Sequence, residues 1–330
     1  MKVGDVMIEI LRRGSMEVVT FGETMVMFNP DSTGPLRYVH NYNKTIAGAE
    51  SNVAIALARL GHQVGWFSKL GDDEFGRYIK SVIMGEGVDV SRVVIDGSRQ
   101  TGLVFKERFA HVNPNVYYYR KHSAASNIEI EDLDMGYIRS AKILHITGIT
   151  PALSDVNRKT IHHIIEKAKE NGVLISFDPN IRLKLWRAEE ARATILDLAR
   201  QSDIIFPGID EGEILLGTDD YQEITRIFLE MGNKFVATKL GKKGCYVASR
   251  EEQTYIEGYV VEKPEDTVGA GDGFAAGFLS GLLRNLSLRE CGQLANAVGA
   301  MATLVRGDME GFPTMSQVRN FMGIEKYIDR

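Results

Sequence analysis

From residue 142 onward, short apolar runs alternate with stretches whose apolar positions recur at helical spacing. The runs at 143–147, 173–177, 203–206 and 235–239 are rich in Val, Ile, Leu and Phe, and the stretches at 154–170, 188–200 and about 207–231 separate them. Strand-helix units repeated with short links predict a parallel sheet covered on both faces, since strands buried on both sides read as near-continuous apolar runs. The same core is predicted to begin with short strands at 17–20 and 25–28 around F-G-E-T. An Ala- and Leu-rich helix at 51–60 closed by Gly61 follows, then a strand at 64–68 and a helix opening on Asp73 and Glu74. Residues 37–45 instead alternate polar with apolar or aromatic side chains, as a half-exposed strand does. Strands at 101–109 and 116–121 are split by the hairpin signal Asn113-Pro114-Asn115, and 245–249 with 254–261 forms a small antiparallel excursion. The predicted class is α/β, a mostly parallel sheet plus a small β-rich layer.

One stretch stands out chemically: D-T-V-G-A-G-D-G-F-A-A-G-F, 266–278. Gly269, Ala270 and Gly271 leave backbone N–H groups uncovered where a buried helix begins, and a helix N-terminus of that kind suits a phosphate or a phosphoryl group in transit. Asp272 lies in the first turn, placed to take a proton from an attacking hydroxyl. Helix capping alone needs one Asp and no glycine pair. A dinucleotide fingerprint would need glycine at position 274, which is Phe274, and no G-x-x-x-x-G-K-[ST] occurs.

These residues resemble the C-terminal signature of the ribokinase-like (PfkB) family of carbohydrate kinases. A-G-A-E-S-N-V-A-I-A-L-A-R-L-G, 47–61, is similar to the family's N-terminal signature, and the likeness runs over about 17–314. The resemblance implies ATP-dependent phosphorylation of a sugar hydroxyl, with Mg2+ as cofactor and a monovalent cation as a requirement the sequence leaves open. It implies one ribokinase-like α/β domain over 16–330, with a β lid over the sugar formed by about 29–46 and 98–122. Residues 1–15 precede the family-like region, and one expectation is that the native chain starts at Met16.

Four further segments carry candidate chemistry. Gly48 and Asn52 sit where a tight turn meets a helix start; spacing alone fits a capping amide as well as a sugar contact, and the resemblance favours the sugar. D-P-N-I-R, 178–182, ends a predicted parallel strand, at the edge where open α/β sheets bind ligands. Together with G-E-T-M-V, Y-Y-R-K-H-S-A and R-G-D-M-E-G-F-P, it resembles the branch of 2-keto-3-deoxygluconate kinases. That likeness puts Tyr118, Arg120 and Arg182 at the acid end of the substrate and Asp308 nearby, and paired arginines suit a carboxylate. Val104 departs from the Tyr that some members carry there. In F-P-G-I-D-E the resemblance gives Glu211 a magnesium-supporting role, through water, although Gly208 replaces the family's Asn. In T-K-L-G-K-K-G it places Lys239, Gly241 and Gly244 along the nucleotide, with Asn296 near the adenine.

Apolar residues make up 44% of the 330-residue chain and charged residues 25%, and the net charge of −5 comes with no basic block. Nucleic acid and membrane are therefore not expected partners, whereas a homo-oligomer through exposed lid edges is. Two cysteines without C-x-x-C spacing fit a reducing, cytoplasmic setting, and the seven histidines show no metal spacing. Met25 and Met27 read as core packing. The resemblance implies ATP-dependent phosphorylation of the 6-hydroxyl of 2-keto-3-deoxygluconate to 2-keto-3-deoxy-6-phosphogluconate. The alternatives are a fructokinase- or ribokinase-type enzyme on a neutral sugar and a non-catalytic sugar sensor.

Overall fold

A computed structural model gives the fold and describes residues 16–109 and 115–325. The extension at 1–15 and the Asn113-Pro114 part of the expected turn lie outside the described residues. In chain order the strands are β1 (Met16–Phe21), β2 (Met25–Pro30), β3 (Tyr42–Ala47), β4 (Val64–Phe67), β5 (Lys69–Gly71), β6 (Val94–Asp96) and β7 (Leu103–Lys106). They continue with β8 (Val116–Tyr119), β9 (Ala141–Thr147), β10 (Leu174–Asp178), β11 (Ile204–Ile205), β12 (Phe235–Lys239), β13 (Gly244–Ser249) and β14 (Gln253–Glu257).

Eight of them form the main sheet in the order β14, β13, β12, β11, β10, β9, β1, β4, parallel from β12 to β4. Strand alternation divides the core in two. Val18, Ile143, Leu174 and Ile204 pack on one face with the helices Ala49–Arg59 and Ala270–Leu283; their sequence neighbours Val19, Leu144, Ile175 and Ile205 pack on the other with Asp155–Glu170 and Ala188–Gln201. The helix Ala270–Leu283 reaches Leu288–Ala302 very closely, because Gly277 and Gly281 lie four residues apart on one face. A Cβ on Gly277 would stand 2.7 Å from Ala295 Cα, and one on Gly281 would stand 2.8 Å from Cys291 Cα. The A-A-G-F-L-S-G pattern is thus explained by packing, separately from the glycines that open the helix.

A second sheet has the order β3, β2, β7, β8 and shares no strand pairing with the main one, though its Val26 and Ile46 pack in the same core cluster as main-sheet residues. Residues 25–28 belong here and not to the main sheet, although Val26 still packs in the core, correcting the expectation of two main-sheet strands around F-G-E-T. The chain leaves the main sheet at Gly22, where a Cβ would fall 2.1 Å from the Glu50 carboxyl carbon. The strand expected at 37–45 begins only at Tyr42, after a turn of 3-10 helix at Leu36–Tyr38. Likewise β13 and β14 are no excursion: they extend the main sheet antiparallel beyond β12.

The faces of the second sheet differ. Phe28, Phe105, Tyr42 and Tyr119 form an aromatic cluster on one, with Phe28 and Phe105 stacked at 4.8 Å. Met25, Met27, Ala47 and Val104 pack together on the other, so the two methionines do pack, in this small cluster. Lys106 and Tyr118 share that face, since Lys106 is two residues from Val104 and Tyr118 pairs directly with it.

Candidate active site

The C-terminal ends of β1, β9, β10 and β12 lie on one edge of the main sheet, and the strand order reverses between β1 and β9, the usual site of a ligand crevice in open α/β folds. The helix Ala270–Leu283 opens at this edge. Gly269 takes its N-cap position with φ +78°, in the left-handed region, and a Cβ there would fall 2.2 Å from the Asp308 carbonyl oxygen, so glycine is required on both counts. Gly271 differs: the nearest heavy atom to an added Cβ is Lys239 Nζ at 3.8 Å. The fold does not crowd Gly271, so what its missing side chain leaves open is an approach to bare N–H groups beside an ammonium. That geometry fits a phosphate group.

Asp272 is buried, and the Asn52 amide donates to it at 2.7 Å across 220 residues of sequence. Burial pushes the Asp272 carboxyl up to about 7, helped by the charge of Asp178 and opposed by Asn52, Arg182 and Lys239. A carboxylate held there is suited to accept a proton near neutral pH. Asn52 does not cap its helix; Gly48 holds that position, and the buried Asn52 Oδ1 has no hydrogen-bond partner. An acceptor left in this way beside Asp272 is available to a ligand hydroxyl. Gly48 is crowded by protein, 2.6 Å from the Glu23 carbonyl oxygen to an added Cβ.

Behind the glycine loop, Lys239 Nζ donates to both oxygens of Asp178, at 2.9 and 2.8 Å. Burial alone would lower the lysine, yet Asp178 and Glu211 hold it above its ordinary value, so it stays an ammonium. Glu211 accepts from the Gly208 N–H at 2.7 Å and the Ile181 N–H at 3.0 Å. Each of its oxygens therefore binds backbone, and burial pushes it up against the pull of Lys239. Among the described residues no group of three or more His, Cys, Asp or Glu side chains is arranged to hold a metal. A site held by protein ligands alone does not fit here, and Mg2+ characteristically enters such centres on nucleotide phosphates.

The two arginines differ from expectation. Arg120 lies within the expected lid segment and Arg182 just after a core strand, positions that would make Arg120 the mobile one and Arg182 the better fixed. Instead Arg120 is buried and ion-paired, its Nε donating to Glu23 Oε2 at 2.6 Å, with a second contact from its Nη2 to the same oxygen. Ser123 Oγ donates to the other Glu23 oxygen at 2.5 Å, so the Arg120 charge is already matched. Arg182 lies exposed on the loop after β10 and makes no ion pair among the described residues, while its charge still acts on Asp272. Tyr118 is exposed, with the Arg120 guanidinium 5.7 Å from its ring. Asp308 is buried, raised to about 7 by burial and then by repulsion from Asp272.

Not every nucleotide-side candidate is drawn to one place. Gly244 has φ +109° and an added Cβ would lie 2.1 Å from the Ile256 carbonyl oxygen, and Asn296 donates to the carbonyls of Ile256 and Glu257. Both grip β14 and are accounted for by that contact. Gly241, with φ +59°, has nothing within 4 Å of an added Cβ. Three residues escaped the sequence reading. Lys106 bonds Asp266 at 3.0 Å, joining the second sheet to the segment before the glycine loop. Glu23 neutralises Arg120. Glu50 is fully buried, takes the Thr147 and Thr150 hydroxyls on Oε1, leaves Oε2 without a partner, and is pushed up to about 7 by burial. Lys106 was findable from its period-two relation to Val104.

A glycine-opened helix, a buried carboxylate in its first turn and an ammonium behind it, all at the carboxyl edge of a mostly parallel sheet, define a phosphotransferase with an α/β core. Residues 15–315 match the model of the pfkB family carbohydrate kinases. The chain is 43% identical over 315 residues to the 2-dehydro-3-deoxygluconokinase of Bacillus subtilis, covering 95% of this chain and 97% of that one. It is 36% identical over 311 residues to the enzyme of the same name from Thermoproteus tenax, covering 93% and 94%. A solved Escherichia coli structure in complex with ATP and Mg2+ superposes with a TM-score of 0.87 at 27% identity, covering 94% of this chain and all of that one. This chain belongs to the pfkB family and is a sugar kinase with the ribokinase-like fold.

Proposed function

We propose that the protein transfers the γ-phosphoryl group of ATP to the 6-hydroxyl of 2-keto-3-deoxygluconate, giving 2-keto-3-deoxy-6-phosphogluconate and ADP. The observation that carries the acid-sugar reading is Arg182: exposed at the carboxyl edge, without an ion pair among the described residues, and close enough for its charge to act on Asp272. The two relatives named for this activity support it.

In this reading Asp272 takes the hydroxyl proton, and the hydroxyl oxygen bonds to phosphorus as the bond to the ADP oxygen breaks. Asn52 orients the Asp272 carboxylate and accepts from a sugar hydroxyl through Oδ1. The N–H groups of 269–272 and the Lys239 ammonium stabilise charge on the transferred group. Mg2+ supplies charge neutralisation on the nucleotide phosphates, with Glu211 shaping the surrounding loops. The second sheet acts as a lid through Tyr118 and the Lys106 contact, its open edges pair with a second copy, and ATP as donor places the enzyme in the cytoplasm.

The matched Glu23–Arg120 pair gives a neutral-sugar reading one specific support, since it leaves a single uncompensated arginine at the acid end. A coupled ADP-release assay across 2-keto-3-deoxygluconate, gluconate, fructose and ribose separates the two. The acid sugar is expected to give the highest kcat/KM; preference for fructose or ribose overturns the assignment and leaves a family-level sugar kinase. No ADP release with any sugar, despite ATP binding, points to a sensor.

A further inference from the structure

Asp178 stands between the two substrate arms of the site. It is buried at the carboxyl end of β10, and Lys239 Nζ bonds both of its oxygens. Oδ1 also accepts the Asn180 N–H at 3.1 Å. Asn180 has φ +37°, a left-handed conformation that non-glycine residues seldom hold unless local hydrogen bonds secure it. One residue further, the Ile181 N–H is held by Glu211, and Arg182 follows. A single carboxylate thus fixes the ammonium beside Gly271 and bends the loop that presents Arg182.

We infer that Asp178 is a positioning residue for both substrates, setting Lys239 for the nucleotide phosphates through charge and Arg182 for the sugar acid through its Asx turn. The inference rests on the kinase reading above. The two duties need different chemistry. Accepting one N–H requires only an oxygen, which an amide retains, whereas holding a partly buried ammonium requires the negative charge.

Asp178→Asn and Asp178→Ala separate them. Asp178→Asn is expected to raise KM for ATP by roughly 10-fold while KM for the acid sugar stays within about 2-fold, and Asp178→Ala to raise both by roughly 10-fold or more. Lys239→Met raises KM for ATP alone, and in Asp178→Asn/Lys239→Met the nucleotide effect is no larger than in Lys239→Met, because Asp178 acts on ATP only through the lysine. The double variant also serves if Asp178→Asn fails to fold, since it removes the unpaired ammonium; its sugar KM then tests the turn. If Lys239→Met raises KM for ATP and Asp178→Asn does not, or if Asp178→Ala leaves the sugar KM unchanged, the role of Asp178 is refuted. If Lys239→Met itself leaves KM for ATP unchanged, the placement of the nucleotide is what fails, and the inference falls with it.

Discussion

The two sides of the candidate site are built on opposite plans. On the core side, Asp272, Asn52, Lys239 and Asp178 come from the ends of strands and the first turns of helices, all of them buried or nearly so, and joined by hydrogen bonds of 2.7 to 2.9 Å. On the other side, Tyr118 and Lys106 stand on a four-stranded sheet that packs on the core through Val26, Ile46, Phe28 and Leu103 and reaches the glycine loop through Lys106 and Asp266, with Tyr117, Tyr118 and Tyr119 exposed along β8. Arg120 is the exception there. It is tied to Glu23 at the root of the sheet, so the arginine of the lid segment is the fixed one and Arg182 on the core side is the exposed one. In the proposed reading, the charges that meet the phosphoryl group are preorganised in the core, where reorganisation would be costly, and the groups that meet the sugar stand at exposed positions.

The sharpest way to break this contrast is at Arg120. Arg120→Leu strands the fully buried Glu23 carboxylate, so a loss of roughly 3–5 kcal/mol in unfolding free energy is expected by denaturant titration, with Arg120→Leu/Glu23→Leu recovering much of it. A loss under about 1 kcal/mol would show that Arg120 is not a structural cation. On the core side, Asp272→Asn should keep the melting temperature and ATP binding and lower kcat by roughly 10²-fold or more, the usual worth of a positioned base; near wild-type turnover removes it from the chemistry. Arg182→Leu should raise KM for the acid sugar by up to about 10²-fold with ATP affinity unchanged, the scale of one charge-assisted contact. An unchanged KM would move the carboxylate elsewhere.

Smaller effects sharpen the comparison. With Asp272 raised to about 7, kcat/KM should fall about tenfold per pH unit on the acid side of that value. Stability moves the other way: the folded state keeps the Asp272 proton in a range where the unfolded chain has lost it, so the stabilisation is present at low pH and disappears as pH rises through about 7. Between about pH 6 and pH 8 the wild-type melting temperature should therefore drop more than that of Asp272→Asn. An identical pH slope would mean that Asp272 is not perturbed. Lys106→Met, which cuts the contact to Asp266, should speed amide exchange in β7 and β8 by roughly 3- to 10-fold without changing β9 and β10. Equal changes in both sheets would mean that the layer does not open separately.

The alternation of apolar runs and amphipathic stretches was enough to predict the parallel core, because strands covered on both faces can hardly be written otherwise, and 235–239 was located to the residue. The glycine turn at 269–271 was legible for a related reason: backbone that must take φ +78° and approach another carbonyl leaves a mark in residue type. The main-sheet assignment of 25–28 went wrong because a short apolar run looks alike in either sheet, and only the break at Gly22 and the pairing with β3 and β7 decide between them. What charged residues do was decided almost wholly by tertiary structure. Nothing local tells that Glu23 neutralises Arg120 97 residues away, that Asn52 meets Asp272, or that Lys239 lies between Asp178 and the glycine loop. Backbone conformation and burial period are written in neighbouring residues, whereas an ion pair is a property of two strand ends brought to one edge, and its energy depends on a desolvation that exists only once the chain has folded.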